Sequence, residues 1–197
     1  VSRFFRAEKL RFWLLAAMAG TGVLVGGMGL LNRFGIDALG MHAATSESMA
    51  KNLAETAYLS TIGNRGWYAT WLCVILPISL WAFQYTEVRT LRILSGIAGA
   101  VACTALVTSD AVAGAVGFAM LLLVFLLFAF RGERQLLRFS EMILLLFLSL
   151  RVPGIVWLLQ GAKTPLAEGV TRFLVVSPLM WPVIAAVAAV CAILRLR

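Results

Sequence analysis

Charge is what this chain has least of. Of 197 residues, 17 are Lys or Arg and 9 are Asp or Glu, so charged residues make up 13%, against roughly 25% in soluble domains. A soluble globule of this size is excluded, because there are too few polar side chains to coat it. Histidine occurs once, at His42, and cysteine three times, at Cys73, Cys103 and Cys191. Each thiol sits inside an apolar stretch with no Cys or His near it. Neither a metal site nor a redox pair follows from that spacing, and inert thiols are expected. The chain also lacks a P-loop, a nucleophile elbow, a dinucleotide fingerprint, a strand pattern and any soluble domain. No metal and no cofactor are expected.

What the chain does have is apolar length. Apolar residues make up 61%, and the mean hydropathy is +0.94. Six apolar segments are each close to the roughly 20 residues that cross a hydrocarbon core: Phe12–Leu31, Trp67–Phe83, Ile93–Val107, Ala111–Phe130, Met142–Leu159 and Phe173–Leu194. The third is the shortest. The expected fold is all-α, a polytopic membrane helix bundle of about six transmembrane helices forming a single domain over residues 1–197.

The net charge of +8 does not point to nucleic acid, because the cations cluster in short connections between apolar spans. Arg3, Arg6, Lys9 and Arg11 precede the first span, Arg89 and Arg92 follow the second, and Arg131, Arg134 and Arg138 follow the fourth. Arg195 and Arg197 close the chain. These are alternate loops and share one side. The other side holds fewer cations: Arg33, Lys51, Arg65, Lys163 and Arg172. The positive-inside rule places both termini in the cytoplasm. In a Gram-negative cell the opposite loops then face the periplasm.

The first span is too long for a signal peptide and lacks a cleavage site followed by a soluble domain, so it is expected to stay as a helix. Gly20, Gly22, Gly26, Gly27 and Gly29 suit close packing, and Gly22 with Gly26 forms a small-xxx-small pair. Packing within one chain is favoured over dimerisation. In the long outer loop after this span, a short helix lying on the membrane surface is expected to start near Ser46. Thr45 can cap it, and Glu47, Lys51 and Glu55 share one face. The connection Thr108-Ser109-Asp110 is so short that the spans on either side must form an antiparallel hairpin.

Four residues are candidates for substrate binding: Asn64, Arg65, Arg151 and Asp110. Thr61-Ile62-Gly63-Asn64-Arg65-Gly66 sets a polar turn with two glycines against the mouth of the second span. Glycines permit unusual backbone angles and close approach of a ligand. Arg65 fits two roles, a clamp on a phosphate and a side chain snorkelling to headgroups beside interfacial Trp67 and Tyr68. Asp110 fits a cap on the fourth span and a carboxylate facing an outer cavity. Arg151 falls near the middle of the fifth span, where a charge is costly and usually faces a partner or a wet cavity. Pro153-Gly154 follow it, so a kink is expected there. Asp110 and Glu141 are its candidate partners. His42, in the outer loop, fits a solvated residue better than a general base.

Asn32-Arg33-Phe34-Gly35-Ile36-Asp37 closes the first span, and Thr61-Ile62-Gly63-Asn64, Ala69, Leu72 and Leu76-Pro77 open the second. Ile93–Val107 then leads to Thr108-Ser109, to Ala111, Ala113 and Gly114, and to a Leu/Phe-rich helix ending in Arg131. In order and spacing these motifs resemble the O-antigen ligase and polymerase family, over Phe12 to Arg138. The motifs are short and lie in apolar sequence. The resemblance implies transfer of a glycan from a polyprenyl-diphosphate carrier on the periplasmic face of the bacterial inner membrane. It implies diphosphate binding by Arg65 and Arg151, with membrane lipid and the carrier-linked glycan as partners. Two departures stand out. The family's Ser-Arg-Gly is Ser109-Asp110-Ala111 here, and the last outer loop, from Gln160 to Arg172, lacks the family's catalytic histidine. No catalytic residue is therefore assigned.

Family members usually carry many more spans. The resemblance thus implies a fragment, a separately encoded half or a degenerate relative; Val1 in place of Met fits a trimmed, incomplete or non-standard start. Two other functions remain open from the sequence. One is a non-catalytic membrane subunit packing against other subunits in a larger complex. The other is a small transporter, for which Arg151 with Pro153-Gly154 resembles a broken-helix site, although no inverted repeat is found.

Overall fold

A computed structural model describes residues 8–34, 36, 38–40, 60–109, 111–159 and 169–196, and among these helices are the only regular elements. They are α1 (Glu8–Arg33), α2 (Arg65–Tyr85, preceded by a 3-10 turn Ser60–Ile62), α3 (Arg89–Thr108), α4 (Val112–Ala129), α5 (Glu133–Leu159), α6 (Val170–Val176) and α7 (Met180–Leu196). Four of them, α1, α2, α3 and α5, are long and apolar enough to cross a membrane, and α6 with α7 makes a fifth if the bent pair is one span. The uniformly apolar α4 has 18 residues, a length of about 27 Å, just short of a hydrocarbon core of about 30 Å.

The expected sixth segment, Phe173–Leu194, is not one continuous helix. It breaks between α6 and α7 with a 67° bend. Pro178 is the cause: it disfavours helical geometry at the residue before it, and Ser177 takes φ −58, ψ 130. At Pro153-Gly154, where a kink is expected, α5 keeps its helical assignment from Glu133 to Leu159 with Pro153 inside it. Arg134 and Arg138 do not sit in a turn. They ride on the first turns of α5, which starts at Glu133 rather than near Met142. The interfacial helix expected from Ser46 lies outside the described residues.

Between apolar helices in lipid there is no hydrophobic drive to associate, so contact depends on close packing. The helices meet that demand by giving up side chains. On α1, Ala19, Gly22, Gly26 and Gly29 are buried, at the three- and four-residue spacing of one face. A Cβ added at Gly22 would stand 2.8 Å from Ile75 Cγ2, and one at Gly26 would stand 2.9 Å from Val101 Cγ1. One at Gly29 would overlap the Tyr68 hydroxyl, whereas Gly20 and Gly27 have nothing within 4 Å. The three buried glycines of the five-glycine stripe therefore serve contacts inside the chain. Helix α3 reciprocates with Ala98 and Ala102, both fully buried, and turns Gly99 to Leu80 of α2.

Helix α3 is the centre. Its apolar window is 56% buried, against 44% for α2, 33% for α5 and 22% for α1. It packs on α1, α2 and α5, while α4 lies on α2 and α5, and α7 on α5. Leu72, Leu76, Leu80, Met142, Leu146 and Leu150 fill the space between α2, α3 and α5. Tyr68, expected at the interface, is instead buried and donates its hydroxyl to the Gly26 carbonyl at 3.0 Å.

The two ends of the bundle differ in charge. Arg92 of α3 and Arg195 of α7 bracket Glu141 of α5 at 3.1 and 2.6 Å. The Arg138 guanidinium lies 5.4 Å from the ring centre of Tyr85, at the end of α2. These contacts gather the start of α3, the first half of α5 and the ends of α2 and α7 at one basic end. Glu141 belongs there and is not the partner of Arg151.

Gly29→Ala is expected to cost about 1–3 kcal/mol through overpacking against Tyr68, read as a lowered Tm in detergent. Gly27→Ala, facing open space, should be neutral or stabilise by about 0.5–1 kcal/mol. Equal losses at both positions would contradict the packing described.

Candidate functional site

The turn ahead of α2 is anchored from below. Ser60 is buried with φ 60, a left-handed geometry that an L residue adopts only when its surroundings enforce it. Here they do: the Ser60 amide donates to Asn32 Oδ1 at 2.9 Å, and its hydroxyl donates to the Val25 carbonyl at 2.7 Å. The turn is thereby pinned to the last three turns of α1. Gly63 follows at φ 74, which only glycine adopts without cost.

Asn64 is the N-cap of α2. Its Oδ1 accepts from the amides of Gly66 at 2.8 Å and Trp67 at 3.2 Å, satisfying two of the donors that every helix start leaves over. A Cβ on Gly66 would come within 3.3 Å of that oxygen. Both glycines of the turn thus have a structural cause: Gly63 reverses the chain and Gly66 makes room for the cap. Arg65 begins α2 and is half-buried. It lies one turn before Ala69, on the same helix face. Ala69 in turn abuts α4, its Cβ 3.4 Å from where a Gly114 Cβ would be.

Arg151 is elsewhere. It is 7% exposed, and its guanidinium donates through Nη1 to the Leu174 carbonyl at 3.4 Å and through Nη2 to the Val176 carbonyl at 3.2 Å. Its charge also stands 5.2 Å from the ring centre of Trp181 on α7. The carbonyls belong to the last turn of α6, where the helix supplies no donor for them and a cation is favoured. The intervening Val175 carbonyl presses on Gly154, where any Cβ would overlap it. Arg151 and Gly154 together receive three successive carbonyls from the broken neighbour. That is how a charge is tolerated in an apolar helix.

Helix α6 also closes a groove. About 390 Å³ of space lies between the end of α3, the first half of α4 and α6. Its walls include Leu106, Gly114, Phe118, Leu122, Thr171 and Leu174. The Thr171 hydroxyl donates to the Val107 carbonyl at 3.3 Å, tying α6 to the last turn of α3. The groove is at the end opposite Arg92, Glu141 and Arg195.

Of the four sequence candidates, Asn64 and Arg65 are adjacent and Arg151 is bound to α6. Asp110 and His42 lie outside the described residues. No group of three metal-capable side chains occurs among the described residues, and the three thiols are unpaired. Ser60 and Thr171 escaped sequence reasoning, and Asn32 entered it only within the motif that closes the first span. Asn32 alone carried a signal, as a polar residue closing an apolar span.

Among the described residues the regular structure is all helical, with four helices able to cross a membrane, a capped turn at one end and an apolar groove beside it. No family model, curated protein or solved structure shows a significant match to it.

Asn64→Ala should cost about 1 kcal/mol through loss of the cap, with Asn64→Ser or Asn64→Asp restoring Tm; failure of both to restore it would point away from capping. Arg151→Leu strands two carbonyls and should cost about 1–3 kcal/mol. Alkylation of a cysteine placed at Ser177 should speed up in that background if the clamp holds α6, and an unchanged rate would contradict it.

Proposed function

We propose that this chain spans the bacterial inner membrane six times with both termini cytoplasmic, and that it forms the carrier-binding part of a lipid-linked glycan transferase resembling the O-antigen ligase and polymerase family. The observation that carries this reading is the apolar groove at the end opposite the basic one. The positive-inside rule puts that end in the outer leaflet. A polyprenyl tail is hydrocarbon and needs no polar contact, only a shaped apolar channel. Small residues on the α4 wall, Gly114, Ala115 and Ala119, leave room for a methyl-branched chain.

The diphosphate belongs above such a groove, at the outer boundary. Arg65 fits this role best among the described candidates, since it is one turn above Ala69, which packs on the Gly114 segment of the groove wall. A guanidinium matches paired phosphate oxygens. Arg151 acts here as a positioning residue: Leu174 lines the groove, and its carbonyl is one of the two that Arg151 holds. Asn64 supports Arg65 by fixing the first turn of α2. No residue is assigned as catalytic base.

One observation favours the second reading, a non-catalytic subunit of a larger membrane complex: Arg151 directs its hydrogen bonds inward, to α6. The transporter reading loses ground on the same contact, because the carbonyls at the helix break that could coordinate an ion are held by Arg151.

The test is photo-labelling of the protein in native membranes with a diazirine-bearing polyprenyl diphosphate. Label is expected on α4 and α6. Ala119→Trp, which fills the groove, should reduce labelling about tenfold, a loss near 1.4 kcal/mol. Arg65→Ala should reduce diphosphate labelling about tenfold while sparing a neutral polyprenol probe. Labelling that ignores both substitutions at unchanged Tm removes the transferase reading, and stable co-purification of partner chains then supports the subunit.

A further inference from the structure

We infer that the opposite, basic end carries a separate site for an anionic phospholipid, in the groove between α3, α5 and α7. This site shares no residue with the carrier groove and does not depend on the glycan reading. The cavity measures about 850 Å³, within the roughly 300–1,000 Å³ of small-molecule sites. Its walls are hydrocarbon, from Ile93, Leu144, Leu145, Leu148, Ala188 and Ala192. Its mouth is ionic, from Arg92, Glu141 and Arg195.

The mouth has an unbalanced charge. Two guanidinium groups meet one carboxylate, leaving a formal excess of one positive charge. Glu141 is only 15% exposed at its side chain and is covered by the two arginines, whose side chains are 45% and 66% exposed. Arg92 contributes one N–H to Glu141, and Arg195 contributes two. A guanidinium has five donors, so each arginine retains donors for a second anion. The Arg92 charge is further held over the Phe83 ring at 5.3 Å, which fixes its direction at the groove's rim. Glu141 thus orients both arginines and leaves their outer faces to a phosphate.

An apolar slot under a cationic rim matches one chemistry: an acyl chain attached to an anionic headgroup. A soluble phosphate would use the rim and leave the slot empty. A zwitterionic lipid would use the slot and bring no net charge to the rim. Arg89 on the first turn of α3 and Arg134 and Arg138 on the first turns of α5 add to the positive potential on approach. Each arginine near an anionic leaflet is worth about fivefold in binding.

The experiment uses the full chain in detergent, exchanged with equimolar phosphatidylglycerol and phosphatidylethanolamine, with retained lipids counted by native mass spectrometry. The wild type is expected to retain phosphatidylglycerol at least fivefold over phosphatidylethanolamine, and the Arg92→Gln/Arg195→Gln variant is expected to lose that preference. Because this variant also frees Glu141 and can loosen α3, α5 and α7, Ala192→Trp serves as a second probe. It fills the slot, leaves the charges in place, and should lower retention of both lipids. Glu141→Gln keeps a carbonyl acceptor for the arginines and raises the mouth by one charge, so it should not lower phosphatidylglycerol retention, and a lowered retention would overturn the inference. The inference is overturned by equal retention of the two lipids in the wild type, by retention unaffected in Ala192→Trp, or by full displacement with inorganic phosphate, which would mark a free-anion site.

Discussion

The close contact of α1 and α2 with α3 is the constraint on which the rest of the structure depends. In an apolar solvent two leucine-coated helices gain little by meeting, since each leaves contacts with lipid as good as those it makes. What decides the pairing is how near the backbones can come. Gly22, Gly26 and Gly29 remove the atoms that would hold α1 away, and Gly99 does the same for α2. Tyr68 then uses the gap at Gly29, and its hydroxyl reaches the Gly26 carbonyl. With α3 held on two sides, α5 can cover the third, and the charged Arg92, Glu141 and Arg195 are gathered at one end as a consequence of register.

The same logic reappears at α5 and α6, with a charge added. Ser177-Pro178 breaks the last apolar segment and leaves carbonyls at the end of a helix of seven residues. Such carbonyls are costly away from water. Arg151 in an apolar helix is also costly. Each is the remedy for the other, and Gly154 supplies the close approach that the contact requires. Arg151, Gly154 and Ser177-Pro178 form one device although they are far apart in sequence. Reading Arg151 beside Pro153 alone pointed to a kink in α5, and the acceptors that hold Arg151 lie on a different helix.

Helix positions were largely legible, because length and apolarity are local properties. Phe12–Leu31, Trp67–Phe83 and Ile93–Val107 fall inside α1, α2 and α3. The glycine stripe was legible as a packing face but not as to which glycines pack, since that depends on the rotation of α1. The start of α5 was misplaced, because the charges of Arg134 and Arg138 end the apolar run while the helix itself extends back to Glu133. For the candidate site, the polar turn was visible and its cause was not. Asn64 has the residue type of a ligand and of a cap alike, and only the distances to Gly66 and Trp67 assign the cap. Ser60 gave no signal at all, because its role comes from Asn32 and Val25.

Among the described residues, three polar contacts stand where helices begin or end. Ser60 fixes the arrival at α2, Thr171 fixes the start of α6, and Arg151 fixes its end. Between the last two anchors α6 has little freedom, and it carries Leu174 on the groove wall. A groove wall held at both ends by hydrogen bonds to the central helices keeps its shape without a ligand. That matters for a hydrocarbon ligand, which brings no hydrogen bonds with which to order its own site. Any cost of ordering the wall is met during folding, so the contacts of the proposed polyprenyl tail can go to affinity rather than to organising the groove.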